Sequence, residues 1–425
     1  MKIGRKNYKG TNSKYSHSAK AVVLGLGING LGIVRSLGKK GVEVWGVYES
    51  ENEPGRFSKY VQAAKFPSLK NNESLFLQKL IDDFGDTDNK AILFAPSDLY
   101  VVFMSQKRDL LQKYFRFNLP ENEVLESLIS KERASDYARK RGLQVPKTYT
   151  IKKNEDIENV LINIELPCVV KPVDSFSSGL KKKALIFTEH RSLNEFLKNN
   201  KDIIDQIIIQ QIIPGGDENI YQATSYVTRE GVISPIFTMR KIRQYRPDFG
   251  ITSYGISENV PEIKEKLQNF IESMNNYKGF ISVEFKKHPL NGEWYYIETN
   301  PRLPYYNSLI YDAGINYPYI YYLDMLEKNN LEWPRADQKE GVRWINFTSD
   351  LLSFVQKYIK GQISLPGWLI EVLQSGSYAY FDKKDLMPFF YLIARDFKTL
   401  IIRGSIKLIK YLTKSSKVNY QLQIL

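Results

Sequence analysis

The chain is poor in the residues that most often carry catalysis by themselves. It has one cysteine, Cys168, and three histidines, His17, His190 and His288. A single cysteine excludes an internal disulfide framework and any cysteine-rich zinc site, and three scattered histidines leave little material for a histidine-bound metal or a histidine triad. No run of about 18 apolar residues occurs, so no membrane-spanning helix is expected. The opening stretch MKIGRKNYKGTNSKYSHSAK is basic and polar and lacks the apolar centre of a signal peptide, so a cytoplasmic location is expected. A G-x-x-x-x-G-K-[ST] phosphate loop is also missing, because the GKK at Gly38 has the wrong spacing and lies at a helix end.

Acidic residues are missing from both ends. Residues 1–20 hold six Lys or Arg and no acid, and residues 397–425 hold six more, again with no acid. Of the net charge of +13, only +1 is left for residues 21–396. A nearly neutral body with basic ends is not the basic groove of a nucleic-acid binder. Solvated tails are the ordinary use of such ends. For the C-terminal stretch FKTLIIRGSIKLIKYL, a docked core or oligomer element and an anionic membrane surface are the readings left open.

What is present is 425 residues, 43% hydrophobic, enough for two to four domains with substantial cores. AVVLGLGINGLGIVRSLGKKGVEVWGVYES reads strand, glycine turn, helix, strand, and AILFAPSDLYVV adds a strand running into a helix. This βαβ pattern predicts an open parallel sheet. Gly25, Gly27, Gly30 and Gly32 stand where a dinucleotide fingerprint would, with Glu49 near the end of the next strand as a ribose acid. Any tight strand-to-helix turn also wants glycine, so an NAD(P)-dependent oxidoreductase remains an alternative and not a conclusion. The middle of the chain changes character, with apolar strands, a Pro-Gly-Gly turn and hairpins such as GFISVEFKKHPLNGEWYYIETNP. In the last strand, alternation puts Glu298 and Asn300 on one face, and Glu284 lies fourteen positions earlier on the neighbouring strand. Carboxylates brought together this way suit a hard cation that keeps its other positions for phosphate and water. After residue 331, residues 341–372 and 387–412 look helical.

In order, the chain shows SKERASDYARKRGLQVPKTY, VVKPVDSFSSGLKKK, IIIQQIIPGGDEN, MRKIRQYRPDFG, ISVEFK and IETNPR. That series resembles the ATP-grasp superfamily, and within it the predicted ATP-grasp carboligases, over roughly residues 20–330. The resemblance implies a fold class: a Rossmann-like α/β pre-ATP-grasp domain, then an α+β ATP-grasp core and a helical C-terminal extension. The matching boundaries are a basic tail over 1–18, the α/β domain over 19–120, two ATP-grasp subdomains over 121–205 and 206–330, and a mainly helical extension over 331–425.

The resemblance also implies roles, position by position. Lys131 and Lys171 would neutralise ATP phosphates, and Ser177 and Ser178 would lie in the loop closing over them. That loop has Gly179 as its only glycine, fewer than richer family loops carry. Gln210, Gln211 and Ile213 would meet adenine, although many relatives carry Glu in this hinge, and Asp217 would meet the ribose. Glu284, Glu298 and Asn300 would bind Mg²⁺, or Mn²⁺ in its place. Arg302, Arg240 and Arg243 would contact the γ-phosphate or an acyl phosphate. The activity implied is an ATP- and Mg²⁺-dependent carboxylate–amine ligase, ADP-forming, working through an acyl phosphate on small-molecule carboxylate and amine substrates. Peripheral membrane contact through the basic C-terminus and a homodimer are the further partner expectations. A non-catalytic, ATP-binding adaptor at the membrane is the remaining alternative.

Overall fold

The computed structural model describes residues 19–151, 157–173, 180, 184–245, 250–327 and 338–396, with the side chains of Lys131 and Glu132 outside that description. The N-terminal part is a five-stranded parallel sheet. Its strands are β1 (Ala21–Leu24), β2 (Val44–Tyr48), β3 (Gln62–Lys65), β4 (Ala91–Phe94) and β5 (Phe115–Arg116), in the order β3-β2-β1-β4-β5. Strand β1, AVVL, is buried at every residue, as a central parallel strand covered on both faces must be. The covering helices are α1 (Ile28–Gly38) on one face and α2 (Glu73–Phe84), α3 (Asp98–Gln106) and α4 (Arg108–Tyr114) on the other.

Two of the turn glycines have local reasons to be there. Gly25 has φ +99°, a left-handed conformation that side chains with a Cβ rarely adopt. At Gly32, an added Cβ would lie 1.6 Å from Asn307 Oδ1, so this glycine serves helix packing. Helices α5 (Asn122–Ile129) and α6 (Lys131–Arg139) lead into a four-stranded antiparallel sheet of β6 (Thr148–Thr150), β7 (Cys168–Pro172), β8 (Leu185–Phe187) and β9 (Ile207–Gln211), ordered β6-β9-β7-β8. Cys168, Val170, Ile207 and Ile209 alternate onto the face covered by α7 (Ile157–Asn163) and α8 (His190–Asn199). Val169, Lys171, Ile208 and Gln210 therefore share the other face.

The third sheet has seven strands: β10 (Ile220–Val227), β11 (Phe237–Tyr245), β12 (Ile251–Ser257), β13 (Gly279–Lys287), β14 (Trp294–Asn300), β15 (Arg343–Ile345) and β16 (Ser377–Tyr378), ordered β14-β13-β10-β11-β12-β15-β16. Helix α9 (Pro261–Ser273) packs one face through Ile263, Leu267 and Phe270. Helices α10 (Asn307–Asp312) and α11 (Tyr317–Met325) join α1 and the opposite face in one core with Tyr226, Phe237 and Met239. Residues 343–345 pair with β12 as a strand, where the sequence suggested helix. Three residues are too few for a periodicity to register, and the pairing partner decides.

Helices α12 (Phe347–Ile359) and α13 (Leu365–Leu373) follow, and residues 387–396 are helical. The described part of the C-terminal extension is therefore woven into the large sheet through β15 and β16. It is fastened by a buried ion pair. Arg243 (3% exposed) donates from Nε and Nη2 to the two oxygens of Asp350 (0% exposed), at 2.9 Å each. Asp350 also accepts from Trp368 Nε1 and Ser253 Oγ, and Glu371 meets the third guanidinium nitrogen. Removing one partner leaves the other charge buried, so Asp350→Ala should cost about 3–5 kcal/mol. A urea melt checks this, with a lower midpoint at unchanged slope expected.

Candidate active site

The site face of the large sheet changes from apolar to polar along its strands. Tyr226 faces Phe280 in the core, and one step along, Thr224, Ser282 and Asn300 stand in a row. The next row is Met239, Gln222, Glu284 and Glu298. Alternation alone dictates this, because residues two apart on paired strands share a face. A register shift follows directly after the Glu284–Glu298 pair and ends the regular ladder there.

Glu284 is 8% exposed and charged neighbours surround it. Lys241 Nζ donates to its Oε2 at 2.6 Å, and Gln222 Nε2 donates to the same oxygen at 2.8 Å. Lys241 also donates to Gln244 Oε1 at 3.0 Å, and Gln244 Nε2 donates to Asp217 Oδ1 at 2.9 Å. Lys357, from α12, closes the line with a 2.7 Å bond to Asp217 Oδ2. On the other side of Glu284, Glu298 is exposed and accepts from Asn300 Nδ2 at 3.2 Å. Arg302 Nη2 donates to Asn300 Oδ1 at 3.1 Å, while its guanidinium grips both oxygens of Asp98 at 2.7 and 3.1 Å. Asp98 opens α3, so this pair ties the N-terminal sheet to the end of β14.

The structure thus brings Glu284, Glu298, Asn300 and Arg302 together. Lys171 and Gln210 meet on the smaller sheet, on the face away from α7 and α8. There Lys171 Nζ donates to Gln210 Oε1 at 3.0 Å, and Gln210 Nε2 donates to Thr148 Oγ1 at 2.9 Å. Gln211 points the opposite way along the strand and bonds Glu165 at 2.7 Å, and Ile213 is buried just beyond. Asp217 sits in the buried line described above, with both oxygens engaged by the protein. Ser177, Ser178 and the side chain of Lys131 lie outside the described residues.

Two of the arginines stand apart from this cluster. Arg240 shares the face of Tyr221 and bonds Glu258 at 2.7 Å, on the side covered by α9. Arg243 is the buried anchor of α12. Register shifts at Lys241/Arg243 and Arg243/Gln244 break strict alternation, so Gln244 joins Lys241 while Arg243 turns to Asp350. The glycine turn has internal partners too. Leu26 N–H donates to Glu53 at 2.5 Å, and Glu49 accepts from Tyr100 Oη at 2.7 Å and Leu69 N–H at 3.1 Å. Both polar anchors of a dinucleotide reading are therefore engaged within the protein.

The donors present fit a magnesium ion. Glu284 and Glu298 face each other across paired strands, Asn300 is beside them, and Gln222 Oε1 is buried without a hydrogen-bond partner. Among the described residues no group of three or more His, Cys, Asp or Glu side chains could hold a metal. Magnesium takes one or two carboxylates and completes its shell with phosphate and water. Sequence reasoning passed over Gln222, Gln244, Asp98 and Lys357. The alternation of YQATSYV against ISVEF marks Gln222 as facing Glu284, whereas nothing local marks Lys357.

Burial pushes the Asp217 carboxyl up, but the hydrogen bonds from Lys357 and Gln244 outweigh it and hold the group below its ordinary value of 3.8. Its contribution to stability is therefore complete above that value and is lost as pH falls through the lower folded one. In Lys357→Met the acid limb of unfolding should move to higher pH. Thermal melts over pH 2–6 check this, and superimposable acid limbs would contradict it.

No protein-family model matches the chain. A D-aspartate ligase from Enterococcus faecium (strain Aus0004) is 24% identical over 301 residues, covering 66% of this chain and 70% of that one. The N5-carboxyaminoimidazole synthetase from Staphylococcus aureus superposes with a TM-score of 0.59 at 15% identity, covering 82% of this chain and 87% of its own. The biotin carboxylase domain of the 2-oxoglutarate carboxylase from Hydrogenobacter thermophilus, solved with ADP, its magnesium salt and bicarbonate, superposes with a TM-score of 0.58 at 15% identity, covering 76% and 73%. Those structures carry the fold that the order of motifs implied, and the chain has the ATP-grasp fold.

Proposed function

We propose that the chain is an ATP- and Mg²⁺-dependent carboxylate–amine ligase that forms ADP. The observation that carries the reading is the row Gln222–Glu284–Glu298 with Asn300 and Arg302 at its end. It is a set of hard oxygens beside a guanidinium, on a fold shared with a structure that holds MgADP. The similarity to a D-aspartate ligase supports amide formation as the outcome. Among the candidate residues there is no cysteine or histidine nucleophile, and this chemistry needs none. Charge neutralisation and positioning do the work.

In this reading a carboxylate oxygen of the acid attacks the γ-phosphorus of ATP. The bond from that phosphorus to the ADP oxygen breaks, leaving an acyl phosphate and ADP. The amine nitrogen then attacks the acyl carbon, the tetrahedral centre collapses with loss of phosphate, and the nitrogen gives up a proton. A bound magnesium ion would neutralise phosphate oxygens, with Glu284, Glu298 and Asn300 as its protein ligands. Arg302 is oriented by Asp98 through Nε and Nη2, and Nη2 would turn from Asn300 Oδ1 to the transferring phosphoryl group once that oxygen is given to the metal. Lys171 serves the nucleotide phosphates as a compact point charge, with Gln210 and Ile213 at the base. Asp217 is a ribose acceptor only where Lys357 and Gln244 yield one of its oxygens.

Two measurements test the reading. MgATP at about 100 times its dissociation constant should stabilise the fold by about 2.7 kcal/mol in a thermal-shift assay, while NAD(P) should leave the melt unchanged. ADP release should appear only when a carboxylate and an amine are supplied together, screened over libraries of both. Glu298→Ala should lower that release by about a hundredfold or more with an unchanged melting curve, since Glu298 is exposed and bonds only Asn300 among the contacts resolved. Undiminished ADP release by the variant would defeat the site assignment.

A further inference from the structure

Fourteen of the twenty large apolar side chains that stand exposed among the described residues fall between Phe347 and Ile393. They form stripes at helical spacing. On α12 the stripe is Phe347, Leu351, Leu352, Val355, Tyr358 and Ile359, and on α13 it is Leu365, Leu369, Ile370 and Leu373. Leu386, Met387, Phe390 and Ile393 continue it along the helical residues 387–396. The opposite sides of these helices are spent on the fold. Asp350 and Phe354 of α12 face inward, and Tyr391 and Arg395 bond the carbonyls of Glu51 and Asn52. Trp368 stacks on Phe354 with ring centroids 4.5 Å apart, and Thr348 donates to Asp396. Helix α12 therefore touches both α13 and the helical residues 387–396, and each of the three carries exposed apolar side chains away from these contacts. An exposed apolar area this concentrated marks a docking surface.

We propose that this face is the seat of an anionic phospholipid surface, engaged together with the basic segment that follows it. Residues 397–425 come next in the sequence and carry Lys398, Arg403, Lys407, Lys410, Lys414 and Lys417 with no acid. In sequence, Phe397, Leu400 and Ile401 extend the spacing of Phe390 and Ile393. Apolar side chains at helical spacing interleaved with lysine and arginine are the pattern of segments that lie in a membrane interface. A second copy of the chain is the poorer occupant. It would bring two acid-free segments of six positive charges against each other, whereas an anionic surface complements them. No described helix is long and apolar enough to cross a membrane.

The test is flotation of the full-length protein with phosphatidylglycerol vesicles and with phosphatidylcholine vesicles at physiological salt. Binding to the first should be at least about tenfold tighter and should weaken as salt rises. Ile359→Glu with Leu373→Glu alters side chains that are 78% and 83% exposed, so the fold and the ADP release in solution should be kept. That double variant should bind the anionic vesicles about tenfold or more weakly, and so should Lys407→Gln with Lys410→Gln. Three results would each overturn the proposal. One is a full-length protein that stays with the soluble fraction. Another is unchanged flotation of the Ile359/Leu373 variant, which would leave the apolar face without a part in binding. The third is a dimer in solution that this variant turns into a monomer, which would assign the face to a second copy. None of these depends on ligase activity, so they fail or hold separately from the function proposed above.

Discussion

A carboxylate as enclosed as that of Glu284 is costly on a sheet face without a cation beside it. Much of the architecture around the candidate site follows from this requirement. Lys241 supplies the positive charge from β11, and its remaining donors have to be satisfied in turn, which brings in Gln244. Gln244 fixes Asp217, a second enclosed carboxylate, and that one needs a second cation. Lys357 meets the need from a helix more than a hundred residues further along the chain. Charges thus alternate along the line Glu284, Lys241, Asp217, Lys357, and each buried group has its partner. An incoming divalent cation would share Glu284 with Lys241, which would have to lean toward Gln244 or toward a phosphate. A lysine suits such a place because its ammonium is a compact charge on a flexible stem, without the fixed fork of arginine.

The second constraint holds the N-terminal sheet against the end of β14. Arg302 is clamped by Asp98, Asn29 donates to the carbonyls of Pro96 and Leu303 at 2.7 Å each, and Asn307 packs on the bare backbone of Gly32. These contacts are polar, buried or half-buried, and directional, so the two parts meet in one register. The glycine turn takes its place among them. Its conformation is set by Gly25, its amide at Leu26 is capped by Glu53, and its helix closes on α10. A motif that reads as a cofactor fingerprint in one dimension is thereby accounted for by packing in three.

The row of Glu284, Glu298 and Asn300 was legible because it depends on a period of two and a hairpin, both local properties. Glu284, Glu298 and Asn300 could be placed on one face from their spacing, and the order of motifs along the chain gave the fold. The arginines depend on more than alternation. Alternation assigns Lys241 and Arg243 to the same side, but two register shifts in β11 turn Arg243 toward α12 and bring Gln244 to the site in its place. A bulge depends on what the neighbouring strand and helix demand, and five residues of sequence do not contain that information. Lys357 lies further still from any local signal, since its role exists only because α12 crosses the sheet. The strand Arg343–Ile345 likewise owes its form to β12 and not to its own three residues.

Helix α12 faces two ways. Its inward side carries Asp350, which holds Arg243, and Lys357, which holds Asp217, so the position of this helix sets the far end of the line that reaches Glu284. Its outward side is a continuous apolar stripe. An α-helix with its side chains is only about 10–12 Å across. Whatever covers the outer stripe therefore lies within about one helix width of the ion pairs on the inner side. A rigid cylinder with charge partners on one side and bare hydrocarbon on the other cannot rotate to bury the stripe without withdrawing Asp350 and Lys357 from the groups they neutralise. Rotation would orphan both charges, at about 3–5 kcal/mol for each buried pair broken, and would also pull Phe354 out of its stack on Trp368. The helix is held with its stripe outward by the electrostatics of the site.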